Sequence, residues 1–235
     1  MTDSHLKGQA MTGARARSPD AKRARRHFIL TTAEQILRSD GFDAFTMNSL
    51  ATTTGLAKGT LYLYFSSREE LVLALYIHLN DDWVDRFLLA EKAHLPPDYA
   101  ALCARFYQSF AADALLVDLA GRAASGLEPY VATPAKVTAK RAYARAARRI
   151  SGLFYQNFDC DPAQAQRLAW AFLAALSGAQ QRAIEMQDNS VLPEDLRKLG
   201  QIMSCKDVFL NMVLPLAPCR REDQFGNNKF GNNEF

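Results

Sequence analysis

The sequence predicts an all-α protein, and three observations support this fold class. Leucine, alanine and aromatic residues recur at three- and four-residue steps through most of the 235 residues. Alternating apolar and polar patterns bounded by turns, which are typical of strands, are missing. Three helix starts are marked by a capping side chain directly before a proline, at Ser18-Pro19, Thr133-Pro134 and Asp161-Pro162.

Further capping signals define the helices along the chain. Glu70 follows Ser67 and Gln164 follows Asp161 at capping-box spacing, and Gly41 fits a helix C-terminus. The periodicity places helices at about 19–39, 46–53, 58–64, 67–92, 98–116, 134–157, 162–187 and 194–216, with a further short helix near 118–130. The first 17 residues, and the polar tail that repeats FGNN, are expected to be disordered.

Composition limits the class of protein. Apolar residues make up 49% of the chain and charged residues 23%, which suits a soluble globular protein with a sizeable core. The net charge is only +3, but its distribution is uneven: seven basic residues and two acidic ones lie between Arg15 and Arg38, a local balance of +5. This cluster is a candidate footprint for a polyanion, and a solvated basic segment is the alternative.

The cysteine pattern argues against a zinc site and against a disulfide framework. Cys103, Cys160, Cys205 and Cys219 form no CxxC pair and have no histidine at ligand spacing, so no metal or other cofactor is predicted. Free thiols in a reducing cytoplasm are the simplest account, and a thiol redox sensor is the open alternative. Because neither a signal peptide nor an apolar run of about 20 residues is found, the sequence predicts a soluble cytoplasmic protein.

The most informative stretch is FTMNSLATTTGLAKGTLYLYFSSREEL, from Phe45 to Leu71. Thr46 is a suitable cap for a short helix, and Gly55 stands where a tight turn requires positive φ. A second short helix begins near Lys58. Two short helices joined by a glycine-containing turn form the helix-turn-helix pattern, whose second helix enters the major groove of DNA. An αα-corner without a DNA role is the alternative.

The residues expected on the surface of this segment suit a DNA contact. Lys58, Thr60, Tyr62 and Tyr64 supply a cation and three hydroxyls, while Gly59 lets the backbone approach closely. Thr46 and the N-terminus of its helix offer donors to a phosphate.

Residues 20–71 closely resemble the N-terminal domain of TetR-family regulators. The resemblance rests on a basic first helix followed by the strings G-F-x-x-F-T-M, L-A-x-x-x-G, K-G-T-L-Y-x-Y-F and S-R-E-E-L. It covers about a fifth of the chain, and its motifs are specific. It implies an all-α homodimer with DNA-binding heads on a larger effector domain, and usually repression that a small ligand relieves.

The resemblance also implies roles for single positions. Thr46, Tyr64 and Arg68 match positions where the family meets phosphates. Positions near bases are matched by Asn48, Lys58, Gly59, Thr60 and Tyr62. Arg25, in the basic first helix, is predicted to extend the phosphate contacts. One position departs from the family: Ala57 stands where a serine usually caps the recognition helix, and such a loss costs about 0.5–2 kcal/mol of helix stability.

The predicted organisation has four parts. A disordered basic arm covers 1–17, a helix-turn-helix domain 18–66, a helical effector-binding and dimerisation domain 67–217, and a disordered tail 218–235. Aromatic residues of the larger domain are ordinarily core, but pockets between bundle helices use the same residue types. The candidate pocket residues are Trp83, Phe106, Phe110, Tyr143, Trp170 and Ser177.

Two features of the larger domain predict partners. Between Lys136 and Arg149 there are six cations and no acid, which indicates a solvated face or, alternatively, a site for an anionic ligand or DNA. Four of these cations share one face of the helix: Arg141, Arg145, Arg148 and Arg149. The alanine-rich helix at about 162–187 and the apolar stripe of 194–216 are predicted to form the dimer interface across a two-fold axis.

The sequence therefore predicts a transcriptional regulator that is not an enzyme. The chain has no G-x-S-x-G, P-loop, G-x-G-x-x-G or H-E-x-x-H motif, and its four histidines have no partners at catalytic spacing. The predicted partners are double-stranded operator DNA with a palindromic site, a second copy of the chain, and a small-molecule effector. A DNA-binding scaffold without a ligand is the rival class, and the bulk of the aromatic-rich domain argues against it.

Overall fold

A computed structural model describes residues 18–94, 98–125, 130–187 and 204–220. The predicted N-terminal arm, most of the predicted tail and the first part of the last predicted helix lie outside the described residues. Within them, the chain is almost entirely helical, so the all-α prediction is confirmed. No helix in these ranges combines the length and the apolar character needed to cross a membrane.

The elements follow one another with short connections. The α-helices are α1 (Pro19–Ala44), α2 (Met47–Thr54), α3 (Lys58–Tyr64), α4 (Arg68–Glu91), α5 (Tyr99–Ala111), α6 (Ala114–Ser125), α7 (Thr133–Asn157), α8 (Pro162–Gln187) and α9 (Cys205–Val213). Short 3₁₀ helices cover Lys92–His94 and Leu214–Leu216. Two strands, β1 (Phe158–Asp159) and β2 (Cys219–Arg220), pair antiparallel, which the sequence patterns did not predict.

The described chain divides into two compact units between Leu75 and Tyr76, within α4. The predicted domain boundary at 66/67 lies close to the start of that helix. In the first unit, α2 packs on both α1 and α3. Its core is built from the inward faces of these helices and the start of α4, with Ile29, Leu50, Leu61, Phe65 and Leu71 among its fully buried side chains.

In the second unit, α8 is the central helix, because it packs against α6, α7 and α9. A cluster of aromatic rings fills the space around it, and Phe172 contacts the rings of Phe106, Phe154 and Phe209 at centroid distances of 5.1, 5.0 and 5.7 Å. Such edge-to-face contacts stabilise a core beyond the area that they bury. The cluster makes α8 the spine of this unit.

A buried ion pair joins the end of α4 to α5. The Glu91 carboxylate is 1% exposed and accepts two hydrogen bonds from the Arg105 guanidinium, each 2.7 Å long. These bonds raise the pKa of Arg105, because they favour its charged form. The bidentate geometry satisfies a charge that would be costly to bury alone.

Most predicted helix ends match the structure, for the predicted reasons. Ser18 accepts a hydrogen bond from the backbone N–H of Ala21, and Asp161 and Gln164 form a reciprocal capping box. Gly41 adopts the left-handed region with φ 77°, where the predicted stop of the first helix lies, although a further helical turn follows to Ala44.

The helix predicted at 194–216 does not continue through Ser204, whose extended backbone caps a new helix that begins at Cys205.

Two further predictions about helix ends are wrong. The single helix predicted at 98–116 is broken after Ala111, because the Asp113 carboxylate accepts a hydrogen bond from the Leu116 N–H and starts a new helix. The predicted cap at Thr133 is also wrong, because Thr133 is already the first residue of α7. The N-cap is Ala132, which makes no side-chain capping bond.

Candidate nucleic-acid interface

The corner between α2 and α3 is set by a left-handed glycine. Gly55 ends α2 with φ 67° and ψ 17°, and its N–H bonds to the Thr52 carbonyl at 3.3 Å. Residues with a Cβ rarely adopt this conformation, so glycine is what the turn requires. Leu56 follows the turn and is 5% exposed, which fixes the corner to the core.

Short-range hydrogen bonds hold α2 in place. The Thr46 hydroxyl accepts from the Ser49 N–H at 3.0 Å, and the Ser49 hydroxyl accepts from the Thr46 N–H at 3.0 Å. This capping box starts the helix as predicted for Thr46, whose side chain remains exposed. The hydroxyls of Thr52 and Thr53 donate to carbonyls four residues earlier, at 3.1 and 3.0 Å. The threonine run thus belongs to the helix and also carries polar groups at its surface.

Helix α3 is held on one side only. Leu61 is fully buried, and Phe65, the C-cap of the helix, is also fully buried. The opposite side is exposed: Lys58 and Gly59 lie on the surface, and Tyr62 is 43% exposed. A helix of 3.6 residues per turn separates the two faces in this way when buried residues recur four apart.

The structure brings the residues predicted near bases to the surface of the corner. Asn48 on α2 is exposed, as are Lys58, Gly59 and Tyr62 on α3. Thr60 and Tyr64 are half-buried. Leu63, which the sequence analysis did not single out, is 76% exposed on the same helix. Leu63 stands two positions from both Leu61 and Phe65, which are buried, and this spacing could have predicted that it lies on the opposite face of the helix.

Two features of α3 reflect its special sequence. Ala57 caps the helix without any side-chain hydrogen bond, as its identity predicts. Gly59 has no positive φ, and a Cβ added to it would meet no atom within 4 Å. Neither backbone conformation nor packing within the described chain therefore requires glycine at this position.

Arg68, predicted to meet a phosphate, is engaged inside the first unit. Its Nε donates to the Phe45 carbonyl at 3.1 Å, and a terminal nitrogen donates to the Phe42 carbonyl at 3.2 Å. The guanidinium also lies 5.3 and 5.5 Å from the ring centroids of these residues. Arg68 thus joins the start of α4 to the last turn and the C-cap of α1, and its side chain is half-buried.

The basic first helix divides into buried and exposed cations. Arg25, predicted to contact phosphates, is only 6% exposed, so it does not share the surface of its exposed neighbours Lys22 and Arg23. Arg26 lies over the Phe65 ring at 4.9 Å. Desolvation lowers the pKa of the Arg26 guanidinium and the Glu70 carboxylate opposes this shift; arginine nevertheless stays charged.

This corner has a counterpart among known proteins. Residues 29–75, which contain α2, α3 and the start of α4, match the family described as bacterial regulatory proteins, tetR family. This likeness to the TetR family covers 47 residues, which is a fifth of the chain.

Two proteins of Bacillus subtilis strain 168 are similar to parts of this chain. The fatty acid metabolism regulator protein is 24% identical over 94 residues, which are 39% of this chain and 48% of that protein. The helix-turn-helix transcriptional regulator YvaF is 45% identical over 47 residues, which are 20% of this chain and 24% of that protein. The chain therefore spans about half the length of the first relative and a quarter of the second.

Solved structures extend the likeness to the fold of most of the chain. A protein described as a TetR-family transcriptional regulator from Mesorhizobium loti has a TM-score of 0.53 at 16% identity, over 84% of this chain and 98% of that one. The reduced form of NemR from E. coli has a TM-score of 0.53 at 16% identity, over 83% and 98% of the two chains. Because both proteins are only 16% identical to this chain, these comparisons show a similarity of fold alone.

The predicted pocket residues of this chain fall into two groups. Trp83, Phe106 and Phe110 belong to the packed aromatic core, each is at most 3% exposed, and the Trp83 ring lies 5.1 Å from each of the other two. The Trp83 indole N–H donates to the Ser109 hydroxyl at 3.0 Å. This group therefore forms continuous core.

The second group lies on α7 and α8. The rings of Tyr143 and Trp170 are 5.4 Å apart, and Trp170 is 40% exposed. Burial raises the pKa of the Tyr143 phenol, and a hydrogen bond with Ser177 acts in the opposite direction. The Ser177 hydroxyl also donates to the Leu173 carbonyl at 3.0 Å. Tyr143, Trp170 and Ser177 therefore combine apolar surface with polar groups.

A cavity of about 260 Å³ lies elsewhere in the second unit. Its walls come from the end of α4, the following 3₁₀ turn and the second half of α7, namely Leu88, Lys92, Arg149, Gly152, Leu153, Gln156 and Asn157. None of the six predicted pocket residues lines this cavity. Its lining combines leucine side chains with two carboxamides, with Lys92, and with Arg149, which is paired with Asp85.

The basic face of α7 is partly neutralised by acids of α4. Arg145 pairs with Asp81 at 3.1 Å, and Arg149 pairs with Asp85. Surface pairs of this kind contribute at most about 1 kcal/mol. Two of the four predicted cations thus serve helix packing, and the remaining two lie exposed on the same helix.

The described thiols show little sign of reactivity. Burial raises the pKa of the Cys103 thiol to about 12, so it stays protonated at neutral pH. Cys160 is also buried, and Cys205 is half-buried. In the ranges that the structure covers, no group of three or more His, Cys, Asp or Glu side chains is arranged to hold a metal ion.

Proposed function

We propose that this chain is a transcriptional repressor of the TetR family. It binds a palindromic operator as a homodimer, and a small-molecule effector releases it. The observation that carries the proposal is the two-sided character of α3, which is anchored by Leu61 and Phe65 and exposes Lys58, Gly59 and Tyr62. This division fits a recognition helix that inserts into the major groove.

The exposed groups divide by what they contact on DNA. Lys58 supplies a mobile cation that neutralises a phosphate, which stabilises all sequences alike. Thr60 and Tyr62 carry hydroxyls that bond to base edges and therefore distinguish sequences. The exposed Thr46 and Asn48 add polar contacts from α2. The two Bacillus subtilis relatives are named as regulators, which supports a regulatory role for this chain.

Two substitutions on α3 separate these contributions. Lys58→Ala should weaken binding to every duplex and lower the log–log salt slope by about 0.9. Thr60→Ala should leave the salt slope unchanged and alter the preference among operator variants by about 1 kcal/mol or more. The measurement is fluorescence anisotropy with an operator selected from a random DNA pool, at several salt concentrations.

The result that contradicts this division is specific. If Lys58→Ala leaves both affinity and salt slope at the wild-type values, Lys58 does not contact a phosphate. If the wild-type chain at low ionic strength selects no inverted-repeat duplex over scrambled DNA, the regulator proposal is wrong as a whole.

The homodimer proposal rests on the surface of α8. Exposed positions recur along this helix at three- and four-residue steps, and they carry mostly small or apolar side chains: Ala163, Arg167, Trp170, Ala174, Gly178 and Gln181. Beside α8, the end of α9 and the 3₁₀ helix that follows it expose Met212, Leu214 and Leu216 at 49%, 37% and 42%. Small residues let two helices approach closely, so two copies of this surface suit a four-helix interface.

A large charge in this stripe should break the dimer. Ala174→Arg places a guanidinium where α8 would meet its copy. The dimer should therefore dissociate into monomers of 26.2 kDa with unchanged helicity. Ala111→Arg, at an exposed alanine that ends α5, is the matched control and should stay dimeric. Light scattering coupled to size exclusion decides; a dimeric Ala174→Arg variant would remove α8 from the interface.

The effector proposal places a ligand in the second unit. The cavity beside Lys92 and Arg149 offers open space, whereas the rings around Trp83 are packed against one another. A metabolite that binds there should raise the unfolding temperature of the wild-type chain and release it from labelled operator DNA. Gly152→Leu, which fills the cavity, should abolish both effects; unchanged responses would place the ligand elsewhere. A complete absence of response across a broad metabolite panel would favour a scaffold without a ligand.

A further inference from the structure

One apolar side chain on α3, that of Leu63, lies on the surface of the protein. Leu63 is 76% exposed, more than any other large apolar residue in the parts of the chain that the structure describes; the next are Tyr130 at 72% and Leu89 at 68%. A leucine normally stabilises a helix by burying its side chain. At this position any long polar helix former would support α3 equally well. Folding therefore does not explain leucine here.

The helix geometry fixes the direction of this side chain. Leu61 is fully buried, and at 100° per residue Leu63 lies about 200° around the helix from it. Leu63 therefore lies opposite the anchored face. Gly59 is one turn earlier on the same side, so the outermost line of α3 consists of a position without a side chain followed by one leucine.

The neighbours of Leu63 indicate which kind of partner it meets. The rest of the exposed surface of α3 carries the ammonium of Lys58 and the hydroxyls of Thr60, Tyr62 and Tyr64. An interface with another protein would be expected to surround a leucine with further apolar side chains. The major groove of DNA instead presents hydrogen-bonding edges interrupted by one kind of apolar group, the C5-methyl of thymine.

We propose that Leu63 reads a thymine methyl group in each half-site of the bound duplex. The inference rests on the proposed function, because it assigns α3 to the major groove. Leu63 lies four residues beyond Gly59, or about 6 Å along the helix. The thymine therefore lies about one base pair from the pair nearest Gly59, because helix positions three to four residues apart contact successive bases in the major groove.

The test removes one methyl group from the DNA and one side chain from the protein. Operator duplexes are selected from a random pool with the full-length wild-type chain, and each thymine is then replaced in turn by deoxyuridine in both half-sites. Deoxyuridine lacks only the methyl group and keeps every hydrogen-bonding group of thymine. The wild-type chain should lose about fourfold in affinity per methyl group at one thymine position, as expected for one buried methyl group.

Leu63→Ala should bind the thymine duplex more weakly than wild type and should no longer distinguish it from the deoxyuridine duplex at that position. Leu89→Ala is the matched control, because it removes a leucine of similar exposure, 68%, from the second unit. It should keep the wild-type discrimination. Thermal unfolding of both variants checks that the fold is unchanged.

Two outcomes overturn the inference, and a third concerns the function beneath it. Discrimination retained by Leu63→Ala shows that another residue reads the methyl group. Equal wild-type affinity for all deoxyuridine duplexes shows that no methyl group is read. If no duplex is enriched by the wild-type chain in the first place, the failure lies in the proposed DNA-binding function and not in the role of Leu63.

Discussion

The anchoring of α3 by the apolar side chains beneath it is the constraint on which the rest of the first unit depends. Leu61 and Phe65 are fully buried and Leu56 nearly so, although the helix has only seven residues. A helix this short is not stable in isolation, so its position comes from packing. The left-handed turn at Gly55 makes this packing possible, because it directs the chain from α2 into α3 within three residues.

Because α3 is anchored on one side only, the residues on its outer side are not needed for folding. Ala57 provides no cap, Gly59 meets open space, and Leu63 is exposed. Each of these three choices lowers local stability or leaves it unimproved. Positions that break local rules in an otherwise consistent segment are expected at functional sites. Gly59 and Leu63 lie on the side of α3 that we assign to DNA.

Sequence reasoning succeeded where a short-range rule decides the structure. Gly55 and the reciprocal bonds of Asp161 and Gln164 are fixed by residues within four positions, and they appear as predicted. The break after Ala111 was missed because its apolar periodicity continues across it, and only the Asp113 cap ends the helix. The Ala132 cap of α7 was missed because the Thr133-Pro134 signal competes one residue later.

The predicted site residues divide in the same way. The sequence predicts the position of a side chain where neighbouring residues determine it, and does not where distant segments determine it. The exposure of Lys58, Gly59 and Tyr62 follows from helical spacing alone, so the sequence suffices. The burial of Arg25 and the engagement of Arg68 with the Phe42 and Phe45 carbonyls depend on contacts between distant segments. No pattern along the chain reports such contacts. The cavity lining, which joins residues of α4 and α7, was out of reach for the same reason.

The central claim is that the outer side of α3 serves a partner and not the fold, and Gly59→Ala tests it most directly. The account predicts an unfolding free energy that is unchanged or higher by up to about 1 kcal/mol, together with a loss of DNA affinity of at least about tenfold. Gly152→Ala changes a helical glycine of α7 whose Cβ would also meet open space. This variant should change the unfolding free energy in the same way as Gly59→Ala and should keep the wild-type affinity for DNA. Wild-type affinity in Gly59→Ala, or a loss of affinity accompanied by an equal loss of stability, would contradict the account.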